Sequence, residues 1–301
     1  MVKLLITGAS GYIGRNFIKN YTENYDFSCV SLRETDIKDI DFTGIESILH
    51  LSALVHQKES RSRDEYFRVN YIQTIGLARA AKANGVRHFI FFSTVAVYGL
   101  NGYIEGEEAY VLTEDSKCEP VEPYGESKLR AEIDLLKLED ENFMVSIIRP
   151  PMVYGPACPG NMARLLNIID KIPLLPFDFS SNGRSMIFID NLICFTHLVI
   201  LNKVDGITIP QDKEVFSIKK IVSILSKGCN RKNILFRFPR MLFRYLYARH
   251  RRVMCSLYGS LIFETSRSNH RTGFVAPYSA EQGLYLMSSA GRSKSKASDI
   301  S

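Results

Sequence analysis

The chain lacks any C-x-x-C pair. Its six cysteines stand scattered at 29, 118, 158, 194, 229 and 255. That pattern argues against a disulfide framework or a zinc site and points to reduced thiols in a cytosolic protein. No apolar run approaches the ~18 residues that a membrane-spanning helix needs. The opening MVKLLITG runs into a glycine motif too soon for a signal-peptide core, so it reads as a strand and not as an export signal. There is no internal repeat. Acidic residues are missing from one stretch: between Val215 and Phe263 there are eleven Lys/Arg, from Lys219 to Arg252, and no Asp or Glu. The formal net charge of +6 originates there, because the remainder carries 27 basic against 32 acidic residues. Basicity confined to one patch does not suggest specific nucleic-acid recognition.

What is present suffices for a large core and two lobes: 301 residues, 46% apolar and 23% charged. VKLLIT (2–7), FSCVSL (27–32), ESILHLSA (46–53), RHFIFFST (87–94) and MVSIIRP (144–150) are apolar, β-rich runs. Between them, Ile13, Phe17, Ile18 and Tyr21 recur at helical spacing. Tyr66 to Asn84 keeps that spacing up to an Asn84-Gly85 stop, and YGESKLRAEIDLLKL (124–138) reads as a helix. Alternating β and α with continuously apolar strands means an α/β, doubly wound parallel sheet covered on both faces. Such sheets bind ligands beyond the carboxyl ends of their strands, where the strand order reverses. Proline and glycine gather at 150–183, as in loops that grip a substrate, and SMIFIDNL (185–192) reads as a further strand returning to the first lobe. The expected organisation is a dinucleotide-binding domain over 1–155 plus about 184–205, and a smaller C-terminal substrate lobe over about 156–183 and 206–288. The Ser/Lys-rich tail 289–301 is expected to be disordered.

Thr7-Gly8-Ala9-Ser10-Gly11-Tyr12-Ile13-Gly14 follows the first strand and opens the first helix. A pyrophosphate needs it there: glycines let backbone N–H groups approach the phosphates, and the helix N-terminus adds a favourable partial charge. A glycine triplet alone is a tight turn. The strand before it and the helix after it make it a Rossmann-type cradle, with Gly8, Ser10, Gly11, Tyr12, Ile13 and Gly14 at the cofactor. About 20 residues on, where NAD-binding versions hold the ribose 2′-OH with an acid, stands Arg33, which suits a 2′-phosphate. Glu34 and Asp36 follow, so a small slip restores an acid. Arg33 tips the expectation slightly to NADP over NAD; the alternative is an arginine that merely meets solvent.

Tyr124 and Lys128 are four apart at the start of a helix and share a face. A free phenol, with a pKa of ~10, is a poor proton carrier at neutral pH. A nearby ammonium favours the phenolate and lowers that value, and lysine can also hold a nicotinamide ribose. Alone, the pair reads as a surface accident. Here it follows the strand RHFIFFST, whose end at Ser93-Thr94 puts a hydroxyl at the sheet's carboxyl edge.

GASGYIG (8–14), HLSA (50–53), VNYIQT (69–74), FFSTVAVYG (91–99), PYGESK (123–128), RPPMVYGP (149–156) and RSMIFIDNL (184–192) span about two-thirds of the chain. On these motifs the chain resembles the extended short-chain dehydrogenase/reductases, the NAD-dependent epimerase/dehydratase family acting on nucleotide sugars. The resemblance implies an enzyme in which Thr94 supplies the catalytic hydroxyl and also meets the substrate. Tyr124 is the acid/base, and Lys128 orients and activates it; both also touch the cofactor. It implies Asp36 and Ile37 beside the adenine, Leu51, Ser52 and Ala53 along the dinucleotide, Asn70 ordering the site, and Pro151 and Val153 near the nicotinamide. Asn161 and Arg184 would bind substrate, Arg184 through its phosphates.

The family's 4,6-dehydratases carry Asp-Glu directly after the catalytic Thr, whereas Val95 and Ala96, which transfer no protons, stand here. Hydride chemistry at C4 is left. One form is reduction of a 4-keto sugar by NADPH, slightly favoured by Arg33; the other is 4-epimerisation with bound NAD. GNMARLLNIIDKIPLLPF (160–177) and LYGSLIFETSR (257–267) are similar to a surface-polysaccharide branch holding both UDP-N-acetylhexosamine 4-epimerases and UDP-4-keto-6-deoxy-hexosamine 4-reductases. A non-catalytic cofactor sensor on this fold would commonly lack the Tyr or the Lys, and both are present.

The basic segment LFRFPRMLFRYLYARHRR (235–252) puts Leu242, Tyr245 and Leu246 at helical spacing with arginines between. The bland reading is a substrate-lobe helix with arginines solvated or facing a pyrophosphate. A sharper reading is a basic amphipathic helix in weak contact with an anionic membrane surface; non-specific polyanion contact is the third. The expected partners are thus a nucleotide sugar, that membrane surface and a second copy in a homodimer, with no specific nucleic acid and no metal, in the cytoplasm.

Overall fold

The computed structural model describes residues 1–55, 61–100, 102–104, 110–179 and 181–298, of which 291–298 as backbone. In chain order the strands are β1 (Val2–Thr7), β2 (Tyr25–Val30), β3 (Ser47–His50), β4 (His88–Phe92), β5 (Val111–Leu112), β6 (Met144–Ile148), β7 (Met152–Tyr154), β8 (Leu174–Leu175), β9 (Met186–Phe188), β10 (Gly206–Thr208), β11 (Ile234–Leu235) and β12 (Ile262–Phe263). The helices are α1 (Tyr12–Tyr21), α2 (Arg63–Phe67), α3 (Gln73–Ala83), α4 (Pro123–Leu136), α5 (Asn161–Lys171), α6 (Ile189–Leu201), α7 (Ile218–Cys229), α8 (Arg240–Arg249), α9 (Arg251–Tyr258), α10 (Ser266–Thr272) and α11 (Ala280–Ser298). Six strands make one parallel sheet in the order β2-β1-β3-β4-β6-β10. Three two-stranded pieces, β5 with β12, β7 with β9 and β8 with β11, lie outside it.

Continuously apolar strands have a direct structural meaning here. Successive side chains point to opposite faces, so each strand feeds two cores. Leu4, Ile6, Leu49, Ile90, Phe92 and Ile148 pack with Phe17 of α1 and with Leu192, Phe195 and Val199 of α6. Leu5, Ile48, Phe89, Phe91, Val145 and Ile147 pack with Ile75, Ala78 and Ala81 of α3 and with Ala131 and Leu135 of α4. The strand order reverses between β1 and β3, and both strands end at the same edge.

Four expectations are corrected. The single helix over 66–84 is interrupted: a π-helical turn, Arg68–Ile72, separates α2 from α3. SMIFIDNL is extended only over β9, which joins β7 and not the central sheet. Its ladder stops because the Phe188 N–H donates to the Asp212 carboxylate at 3.1 Å, and the helical stripe Ile189, Leu192, Ile193, Thr196 takes over. Gly206–Thr208, assigned above to the smaller lobe, is the sixth strand of the sheet, beside β6. The tail from 289 continues α11 to Ser298. Its start is anchored by buried Ala280, Leu284 and Met287 and by Ser288 against Gly228 of α7, and tertiary anchoring of this kind outweighs a polar composition. Residues 299–301 lie outside the described residues.

Candidate active site

The expected cofactor residues converge on the carboxyl edge of the sheet. Gly8–Gly14 join β1 to α1, Arg33, Asp36 and Ile37 follow β2, and Leu51–Ala53 follow β3. Thr94 follows β4, and Pro151 and Val153 follow β6. At Gly8 the backbone is left-handed, with φ +74°, and a Cβ would lie 2.8 Å from the Leu51 and Ser52 backbone. A Cβ at Gly14 would lie 2.6 Å from the Gly8 carbonyl oxygen. The glycines thus bring the start of α1 against the exit of β3, at the point where the strand order reverses, leaving a cradle that suits a pyrophosphate. Tyr12 Oη donates to Pro156 O at 3.2 Å and ties this cradle to the loop after β7. At the end of β4, the buried Ser93 hydroxyl has no partner among the described residues. A turn closed to side chains at Gly8 and Gly14 and an unsatisfied buried hydroxyl on the same carboxyl edge of the sheet fit a dinucleotide ligand.

A hydrogen-bond chain holds this edge in register. The Ser52 N–H donates to Thr7 Oγ1 at 3.3 Å, and Thr7 Oγ1 lies 2.6 Å from His50 Nδ1. His50 Nε2 lies 2.9 Å from Thr74 Oγ1, which donates to Asn70 O at 2.9 Å. Because Thr74 spends its only proton on Asn70, His50 must donate from Nε2 and accept from Thr7 at Nδ1. Burial, and secondarily the nearby Lys128, push His50 down to about 3, so the ring is neutral and this tautomer is fixed. Asn70 sits in the π-helical turn, a distortion frequent at functional sites. Its Oδ1 accepts from Leu54 N at 2.7 Å, and its Nδ2 donates to Leu54 O at 3.0 Å and to Ser127 Oγ at 3.1 Å. Ser127 in turn donates to Tyr124 O at 2.8 Å. These bonds make Asn70 a clamp between the β3 exit and the helix that carries Tyr124 and Lys128.

Tyr124 lies in the first turn of α4, behind Pro123 at a helix start where proline is well tolerated. Gly125 permits the close approach that follows: a Cβ there would lie 2.8 Å from Ala96 O. Tyr124 is hydrogen-bonded to Thr94 and stands edge-on to Tyr66, with ring centroids 6.3 Å apart. Thr94 Oγ1 also accepts from Ala96 N at 3.1 Å. One turn further on, buried Lys128 donates to Phe92 O at 2.7 Å, with its nitrogen 4.4 Å from the Phe91 ring centroid. The expected lowering of the Tyr124 pKa is corrected. Burial pushes the phenol up to about 12, against the opposing Thr94 hydrogen bond. The lysine is no strong counter-charge, because burial pushes it down to about 7 against the opposing pull of Glu132. Glu132, one turn beyond, forms a buried two-pronged pair with Arg149 at 3.1 and 2.6 Å.

The remaining sites are less converged. Arg33 is exposed in the turn after β2. Asp36 is exposed too, 3.7 Å from Lys38, and the Ile37 side chain packs towards Gly76. Asn161 is exposed at the first turn of α5. Arg184 donates to Cys255 O at 2.6 Å and to Ser256 O, near the C-terminal end of α9. Arg252 of α9 pairs with Glu122, which stands at the N-cap position of α4 two residues before Tyr124 and makes no capping hydrogen bond with its side chain. Sequence reasoning gave no role to His50, Thr74, Gly125, Ser127 or the Glu132–Arg149 pair. Spacing held a signal for two of them: Ser127 is three residues past Tyr124, and Glu132 is four past Lys128 on one helical face.

The NAD dependent epimerase/dehydratase family matches residues 4–212. The chain belongs to this family. That span holds the cradle, Thr94, Tyr124 and Lys128, and makes the chain an NAD(P)-dependent enzyme of the extended short-chain dehydrogenase/reductase class. It is 29% identical over 312 residues to a UDP-glucose 4-epimerase of Vibrio cholerae, covering 93% of each chain. It is 25% identical over 315 residues to an N-acetyl-α-D-glucosaminyl-diphospho-ditrans,octacis-undecaprenol 4-epimerase of Escherichia coli O157:H7, covering 93% of this chain and 92% of the other. Among solved structures, the UDP-glucuronic acid 4-epimerase of Bacillus cereus with UDP-glucuronic acid and NAD superposes with a TM-score of 0.74. It covers 97% of this chain and 100% of that one at 23% identity, a likeness of fold.

Proposed function

We propose that the protein is a C4-epimerase of a hexose or N-acetylhexosamine carried on a nucleoside diphosphate, working with NAD. The observation that carries this reading is the Thr94–Tyr124 hydrogen bond, followed in the chain by Val95 and Ala96. Thr94 and Tyr124 serve one oxygen, and no second acid/base follows Thr94 to remove water. Two 4-epimerases that match over 93% of the chain support epimerisation over reduction. The substrates in their names are both hexoses on a diphosphate, which makes the diphosphate the shared handle.

In this reading Gly8–Gly14 hold the pyrophosphate, Leu51–Ala53 line the dinucleotide, and Ser93, Lys128, Pro151 and Val153 lie around the nicotinamide end. Bound NAD supplies the hydride acceptor and, on return, the donor. Thr94 orients the C4 oxygen, and Tyr124 gives it a proton or takes one. Tyr124 must take the C4 hydroxyl proton as hydride leaves and give it back as hydride returns, so burial, which pushes its phenol up to about 12, favours the second half and opposes the first. Asn161 and Arg184 are the proposed substrate contacts, on a lobe formed by 156–183 and the chain beyond Thr208, and surface-polysaccharide synthesis is the proposed setting. The second reading, an NADPH-dependent 4-ketoreductase, is favoured by one observation, the exposed Arg33 after β2.

The test is incubation of purified enzyme with UDP-glucose and UDP-N-acetylglucosamine, with products resolved by anion-exchange chromatography and proton NMR. The expected outcome is a C4 epimer formed without net consumption of coenzyme. Stoichiometric NADPH oxidation by a 4-keto sugar, with no epimer from either substrate, would establish the reductase. A 4-keto-6-deoxy product would overturn both readings.

A further inference from the structure

Helix α8 is unlike the other long helices of the smaller lobe, because none of its residues is buried. Its inner side, Phe243, Leu246 and Tyr247, packs in part against the core. At 3.6 residues per turn, Met241, Tyr245 and Ala248 share the opposite, outward side. Arg244 flanks that stripe on one side, and Arg249 and Leu242 flank it on the other. A water-facing stripe of this kind is normally polar, yet Met241 is 84% exposed and Tyr245 66% exposed. The flanking charges are uncompensated: among the described residues, no acid pairs with Arg240, Arg244 or Arg249, whereas Lys219, Lys220, Arg231 and Arg252 each have an acidic partner. Exposed apolar side chains between unpaired arginines complement a surface that is apolar just below an anionic layer. No helix among the described residues is long and apolar enough to cross a membrane, so the contact is with a surface.

We propose that the outward face of α8 docks on an anionic lipid bilayer, with Met241 and Tyr245 entering the headgroup–acyl boundary and Arg240, Arg244 and Arg249 meeting lipid phosphates. The face lies next to the site. Helix α9 follows α8 after a single residue, its terminal carbonyls hold Arg184, and its Arg252 pairs with the residue at the N-cap position of α4. A docked enzyme therefore holds its substrate lobe against the bilayer.

The test is flotation of the full chain with vesicles of phosphatidylglycerol and phosphatidylcholine, against vesicles of phosphatidylcholine alone. Binding is expected only to the anionic vesicles and weakens as salt is raised. Arg240→Gln/Arg244→Gln/Arg249→Gln should reduce partitioning on the order of a hundredfold, and Met241→Ser/Tyr245→Ser about tenfold or more. Circular dichroism and turnover of a soluble nucleotide sugar should stay unchanged in both variants. Retention on heparin should fall in the arginine variant and persist in the Met241/Tyr245 variant. Equal vesicle binding by the Met241/Tyr245 variant and the parent would mean polyanion contact only and overturn the proposal. So would a dimer, seen by light scattering, that falls apart in that variant, because the stripe would then be a subunit interface.

Discussion

Lys128→Met should make the protein more stable at pH 7 and less stable at pH 10. Burial lowers the Lys128 pKa to about 7 from an ordinary value of about 10.4. Each factor of ten in proton affinity is worth about 1.36 kcal/mol, so keeping this amine buried costs the fold roughly 4–5 kcal/mol at or below pH 7. Between pH 7 and 10.4 the unfolded chain binds the proton and the folded one does not, so this contribution shifts towards stability as pH rises. Methionine removes the titration and keeps the volume. It also leaves Phe92 O, now 2.7 Å from the amine, without its donor, a loss of about 1–3 kcal/mol. The net expectation at pH 7 is a gain of roughly 1–4 kcal/mol, a rise in Tm of about 2–6 °C at this chain length. By pH 10 the desolvation cost has mostly gone and the unsatisfied carbonyl remains, so the variant falls below the parent. The raised thiol and phenol groups titrate alike in both proteins and cancel in the difference. The assay is urea unfolding by circular dichroism at pH 7, 8, 9 and 10 on both proteins. A difference constant across that range, or a variant less stable throughout, would falsify the claim that burial lowers the Lys128 pKa to about 7.

Tyr124→Phe should lower turnover by roughly 10²–10⁴, the usual size of acid–base catalysis, with coenzyme binding by fluorescence titration nearly intact; near-normal turnover would remove Tyr124 from the chemistry. Arg33→Asp replaces an attraction for a 2′-phosphate by repulsion and should weaken NADPH binding about tenfold to a hundredfold. Paired dissociation constants are the readout, and equal changes for NADH and NADPH would show that Arg33 does not read the 2′ position. Gly14→Ala would push a methyl to 2.6 Å from Gly8 O. It should cost about 1–3 kcal/mol in urea unfolding and weaken coenzyme binding more than either flanking substitution, Ile13→Val or Arg15→Lys; an unchanged affinity would mean that the turn is not the cradle.

Periodicity made the sheet legible. RHFIFFST is apolar at every position, and the structure divides it between two cores, with Ile90 and Phe92 on one face and Phe89 and Phe91 on the other. The glycine spacing was legible because its need is steric: backbone fills the space of a Cβ at both ends of the motif, that of Leu51 and Ser52 at Gly8 and that of the loop itself at Gly14. Residues whose partners lie far away in sequence were not legible. Thr7 and His50 meet across 43 positions and Asn70 and Ser127 across 57, and nothing local in either segment announces the pairing. The early end of β9 and the strand β10 escaped for a related reason. Three residues carry too little pattern to separate strand from loop, and Asp212, which ends β9 by taking the Phe188 N–H, lies 24 positions away.

Solvation is the harder part, and it changes how the centre works. Spacing puts Tyr124 and Lys128 on one helical face, and with ordinary solvated values that pair reads as an ammonium easing a phenol towards phenolate. Burial moves the two values apart instead, the phenol up to about 12 and the amine down to about 7. His50, behind them, is held neutral by the same cause. The fixed charges are withdrawn one turn further, to the Glu132–Arg149 pair, where each ion is matched inside the fold. At neutral pH the centre thus holds a neutral phenol and a neutral imidazole beside an amine poised between its charged and neutral forms. In the proposed reaction Tyr124 must take the C4 proton as hydride leaves and give it back as hydride returns. Reversible proton transfer of this kind suits an epimerase, which must give and take at the same oxygen.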